Sequence, residues 1–130
     1  MVEEIENNTM ERKTNGDRQS SDFPIWIVWQ TATPVELECG QVHAAGNAMP
    51  QVRSLQLLAA VGNLETQIAH VHTAITGALE QILVGMQPSR AQLTTLRYEI
   101  TSATLVAANP RLAATGVVLL DLNIDNLTVR

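Results

Sequence analysis

Aromatic side chains are scarce in this chain of 130 residues. They make up 3% of it: two tryptophans, one tyrosine and one phenylalanine. With 45% hydrophobic residues, any core must be built from Leu, Ile, Val and Ala, and the length suits a single domain. Cysteine is down to Cys39 alone, so no internal disulfide forms and the chain suits a reducing compartment. Lysine is limited to Lys13, and Arg53, Arg90, Arg97, Arg111 and Arg130 are scattered singly in a chain of net charge −5. A phosphate backbone or an anionic membrane needs clustered cations, so neither is an expected partner. The longest apolar or small run, Leu112 to Leu120, is too short to span a bilayer. The acidic N-terminus lacks the basic-then-apolar pattern of a signal peptide. A soluble protein is expected, cytoplasmic or built into a particle.

The first 22 residues are charged and polar, with almost no large apolar side chain, and read as a flexible tail. Residues 23–130 read as one oligomerising domain. From Pro24 to Cys39 the chain looks like strands. Pro24-Ile25-Trp26-Ile27-Val28-Trp29 is β-branched and aromatic, and Val35-Glu36-Leu37-Glu38-Cys39 alternates cleanly, which suggests a hairpin. Trp26 and Trp29 are expected to pack in the core, with anchoring on a partner surface as the alternative. Gln41 to Pro50, with Gly46, Asn47 and Pro50, reads as a connecting loop.

The strongest pattern follows. Val61, Ile68, Ile75 and Ile82 recur every seven residues, and Leu57, Leu64, Val71 and Ala78 fill the second register. This predicts one helix over 52–86, roughly 50 Å long, with an a/d seam. Pro88 ends it, and Ser89-Arg90-Ala91-Gln92 has the form of a capping box. A second helix is expected over 90–108, with Leu93, Leu96 and Ile100 on its apolar side, stopping at Asn109-Pro110. Between Ser54 and Met86 the only charges are Glu65 and Glu80, too few for an isolated two-stranded coil. A broad buried face in a helical bundle or coiled coil, a trimer or larger, is expected. Gly62 and Gly77 are read as tight-packing points. Near the C-terminus, 117–129 alternates like a strand and slips phase at Asp125-Asn126, which suggests a turn and a small hairpin.

The expected fold is therefore α+β, with heptad helices flanked by short strands or hairpins at both ends. The expected oligomer interface is Leu57, Val61, Leu64, Ile68, Val71, Ile75, Ala78, Ile82, Leu93, Leu96 and Ile100. In architecture alone, this order resembles the stalk region of virus or phage attachment fibres, which implies a virion component.

Chemistry is thinly represented. His70 and His72 sit two apart on a helix and point away from each other, and His43 has no ligand type beside it. Cys39 has no neighbouring cation and reads as a structural thiol. Glu36 and Glu38 read as a solvated strand face, and Arg97 and Glu99 are spaced so as not to meet. No phosphate loop, nucleophile elbow or zinc spacing occurs. A non-enzymatic protein without metal or cofactor is expected, associating with itself or serving as an adaptor.

Overall fold

A computed structural model describes residues 22–130. The expected flexible tail therefore lies outside the described residues, apart from Asp22. Four strands form one antiparallel sheet: β1 (Ile27–Gln30), β2 (Val35–Leu37), β3 (Gly40–Val52) and β4 (Val117–Val129). Between β3 and β4 the chain makes four helices: α1 (Leu55–Val61), α2 (Leu64–Met86), α3 (Arg90–Thr95) and α4 (Arg97–Leu112). A 3-10 turn, Ala113–Thr115, leads into β4. Strand β3 is the axis of the sheet. β4 lies along the whole of one side of it, while β1 and β2 follow one another along the other side.

The stretch expected to be a loop is thus the central strand. Its inward residues Val42, Ala44, Gly46, Ala48 and Pro50 are buried and alternate with more exposed Gln41, His43, Ala45, Asn47, Met49 and Gln51. The alternation is complete, but small side chains and turn-forming residues hide it. Across the sheet, each small residue of β3 stands between larger neighbours. Gly46 lies between Trp29 and Ile124, and Ala48 between Ile27 and Leu122. Gly46 has no room for a side chain, because a Cβ there would run into the backbone of Asn123 and Ile124. Pro50 fits because the ladder with β4 is irregular at Met49 and Pro50, where a missing N–H is tolerated.

The expected hairpin over 24–39 is different as well. β1 and β2 do not pair with each other but both pair with β3, and the tight turn is Glu38-Cys39 between β2 and β3. Likewise the phase slip at Asp125-Asn126 is not a turn. β4 is one strand carrying two bulges, one beside Leu120 and one beside Asp125. A bulge and a two-residue turn leave the same mark on a hydrophobic pattern, since both insert an extra residue between inward positions.

The long helix is two helices. Gly62 takes φ 140°, which other residues rarely adopt, so it breaks the helix and does not mark a packing point. The break is well satisfied. The Asn63 side chain accepts from the Thr66 N–H (2.9 Å), and Gln67 Nε2 donates to the carbonyls of Leu58 (3.1 Å) and Gly62 (2.9 Å). The bend lets Leu58 enter the core, a burial worth about 1.5–3 kcal/mol. Gly77 is a close-packing point, with the Arg111 guanidinium lying against α2 there and donating to Gln81 Oε1 at 3.0 Å.

The second helix is also divided, at Leu96. Its end lies beyond Asn109-Pro110, at Leu112. Pro110 leaves only the carbonyl of Val106 without its helical donor, and Val106 is exposed, so water can serve it. The capping box at Ser89 and Gln92 is present as expected. Helix α2 packs on α4, β1 and β2, and α4 packs on β4. The result is two layers, with the helices on one face of a sheet whose other face is open.

Candidate interaction site

The heptad seam divides into two halves. Val71, Ile75 and Ala78 are buried in the chain's own core, with Ala74, Leu79 and Leu83 beside them. The true inward row of α2 is Val71, Ile75, Leu79 and Leu83, spaced by four, flanked by Ala74 and Ala78. Leu79, which the heptad frame leaves at a flanking position, is fully buried. One inward stripe on α2 therefore generates the pattern, and no coiled coil forms among the described residues. From the second helix, Leu93 and Ile100 are buried and Leu96 is half-buried in the same core. Ile82 is half-buried too.

The other half of the seam stays uncovered. Leu57 and Leu64 are exposed, while Val61 and Ile68 are partly so. Leu55 is exposed as well, and Asp22, Leu55, Leu58, Ala59, Leu64 and Gln67 line an open cleft of about 340 Å³ at the elbow between α1 and α2. Three exposed leucines within ten residues of chain are more than the isolated surface apolar residues a monomer ordinarily carries.

The two tryptophans part company. Trp29 is fully buried, and its indole N–H has no acceptor among the described residues. Trp26 is 49% exposed, just before β1, and Val28 two residues on is 77% exposed on the open face of the sheet. Ala45 and Met49 share that face with polar side chains. Asn123 Nδ2 donates to Asn47 Oδ1 and Asn47 Nδ2 to Asp125 Oδ2, both at 3.2 Å. An antiparallel sheet with one solvated face needs no partner.

A second recess lies along β4, where sequence reading located nothing. It has a volume of about 520 Å³ and runs between Asp121–Ile124 and the α3–α4 junction, where Thr94, Thr95, Arg97, Tyr98 and Thr101 line it. Arg97 is half-buried, and its Nε is shielded from solvent with no hydrogen-bond partner among the described residues. Tyr98 is 79% exposed beside it.

The titratable residues do not converge. His70 is exposed and His72 half-buried on α2, while His43 lies on β3 across from Thr128. Among the described residues, no three of His, Cys, Asp or Glu gather around a common point that could hold a metal. Cys39 is a half-buried free thiol in the β2–β3 turn, packed at the margin of the core. Glu36 accepts from Gln41 Nε2 at 2.8 Å on the surface, and the Glu38 N–H donates to Gln87 Oε1 (2.9 Å), tying that turn to the end of α2. Among the described residues, no helix is long and apolar enough to cross a membrane. Comparison with protein-family models and with curated proteins finds no match.

Proposed function

We propose that this protein is a non-enzymatic structural component that self-associates through the α1–α2 elbow, as a subunit of a larger particle such as a virus or phage. The observation that carries the reading is the uncovered half of the heptad seam, with Leu57 and Leu64 exposed and with Leu64 and exposed Leu55 lining one cleft. The elbow carries few charges: Asp22 lines its cleft, Arg53 precedes α1 and Glu65 opens α2. A second copy brings the same apolar surface, so two elbows suit each other across a twofold axis. The other half of the seam, Val71, Ile75 and Ala78, is used within the fold and is not available to a partner.

A native mass measurement tests this. The wild type should appear as a discrete oligomer at micromolar concentration. The double variant Leu55→Asp/Leu64→Asp should run as a monomer with a little-changed melting temperature, because both side chains are exposed. A monomeric wild type, or a double variant that keeps the full mass, overturns the proposal. The alternative reading is an adaptor that grips a different protein through Trp26 and Val28, whose exposure favours it. A monomeric wild type that loses a partner on Val28→Asp would support that reading.

A further inference from the structure

We propose that the cleft along the outer edge of β4 binds an extended, carboxylate-bearing peptide segment of a partner protein, which adds a fifth strand to the sheet with its acidic side chain on Arg97. This surface is separate from the elbow.

The phase of the edge follows from three sets of hydrogen bonds. The N–H and C=O of Arg130 are exchanged with Gln41 (2.9 and 3.0 Å), so they face β3. Alternation back along the regular stretch turns Val129 and Leu127 outward. The N–H of Leu122 is held by the Asp121 carboxylate at 2.9 Å, so it faces away from the ladder. The N–H and C=O of Leu119 are taken by the Asn109 side chain of α4, at 2.8 and 3.3 Å. The edge is therefore closed at Leu119 by a side-chain amide that imitates a neighbouring strand. It is weakly guarded at Leu122, and beyond that no hydrogen bond from the described residues closes it. An unpaired strand edge is a template for another backbone.

The cleft beside it selects the guest. It passes between the edge at Asp121–Ile124 and the α3–α4 junction, so the guest must be a slender extended chain. A second copy would have to bring its own α3–α4 junction, standing over the same edge, into that space. Four hydroxyl side chains, Thr94, Thr95, Tyr98 and Thr101, line the cleft. Arg97 supplies its one positive charge, and no hydrogen bond or ion pair among the described residues engages that guanidinium. A buried, unpaired guanidinium nitrogen calls for an anionic acceptor. The one carboxylate in the lining, Asp121, is engaged by the Leu122 N–H. The guest's own carboxylate completes the pairing.

The test uses a displayed library of random dodecapeptides selected against the full-length protein, followed by synthesis of the enriched peptide. The expected result is enrichment of Asp or Glu at one fixed position. Binding should slow amide hydrogen exchange at Leu122 and Ile124. It should weaken by about tenfold or more in Arg97→Gln, the scale of one charge-assisted hydrogen bond, and vanish when alternate amides of the peptide are N-methylated. Arg97→Gln should keep the wild-type melting temperature, since no bond within the fold engages the guanidinium, and Arg97→Lys should restore part of the affinity. The proposal is overturned by no enrichment over an unrelated bait, by equal binding to Arg97→Gln, or by exchange at Leu122 and Ile124 that does not change. Protection of those amides by self-association alone would assign the edge to a second copy and would also overturn it. The Leu55→Asp/Leu64→Asp protein should bind the peptide normally, so the elbow and the edge stand or fall separately.

Discussion

β3 and β4 are neighbours of identical length, 13 residues each, and they alternate inward and outward positions along one shared ladder. Their inward residues could hardly differ more. β3 offers Val42, Ala44, Gly46, Ala48 and Pro50, whereas β4 offers Val117, Leu119, Leu122, Ile124, Leu127 and Val129. The difference arises from position. β3 is flanked on both sides, so the large side chains of Trp29 and Ile124, or of Ile27 and Leu122, lean over it from each neighbour. β4 has a neighbour on one side only and must fill the space beneath α4 with its own side chains. Side-chain volume here reports a strand's place in the sheet, while periodicity reports that it is a strand at all.

The comparison breaks hardest at Gly46. Gly46→Val places a branched side chain where the backbone of Asn123 and Ile124 already sits. A loss of about 3 kcal/mol or more is expected. Ala45→Val, one residue earlier on the open face, should change stability by no more than about 0.5 kcal/mol. Paired urea denaturation curves measure both. If the two variants melt alike, crowding over the central strand is not what fixes its small residues.

The next effect concerns the row Ile27–Ala48–Leu122. Leu122→Ala leaves a cavity beneath α4 and should remove about 2–5 kcal/mol. The double variant Ala48→Leu/Leu122→Ala conserves volume but moves the large side chain to the middle of the row, against Ile27. It should be no more stable than Leu122→Ala alone. Full recovery in the double variant would show that total volume matters here and strand position does not.

These rows explain what was legible in the sequence. The capping box at Ser89, the burial of Trp29 and a mixed α+β composition could be read from local signals, because each depends on a few adjacent residues. β3 could not, since glycine, asparagine and proline carry local turn preferences that are outweighed by pairing with a strand far along the chain, as between Asn47 and Asp125, 78 positions apart. The expected helix over 52–86 starts three residues later, at Leu55 after the Ser54 cap, and divides at Gly62, whose φ no hydrophobic pattern encodes. The heptads were real as apolar spacing, but a helix packed on a two-layer core and a coiled-coil strand share it over this length. Of the candidate surfaces, Leu57 and Leu64 were on the expected interface and remain exposed. The β4 cleft was invisible: an edge exists only once the sheet is assembled, and Arg97 was judged against Glu99, which is exposed elsewhere on α4.

The smallest expected effect sharpens the contrast at the edge itself. β3 pairs with β4 on one side and with β2 and β1 over residues 40–42 and 45–48 on the other, whereas the outer edge of β4 relies at Leu119 on one asparagine side chain from α4. Asn109→Ala removes both hydrogen bonds but opens the Leu119 backbone to water, which replaces them in part. The loss should therefore be about 1–2 kcal/mol and not the sum of two fully buried bonds. Asn109→Asp keeps an acceptor for the Leu119 N–H and loses the donor to its carbonyl, so it should fall between the wild type and Asn109→Ala. Thermal denaturation ranks the three. Amide exchange at Leu119 should accelerate most in Asn109→Ala, and with the amide gone the free edge lengthens toward Val117. If exchange at Leu119 stays as slow as in the wild type, some other group closes that edge and Asn109 is not what ends it.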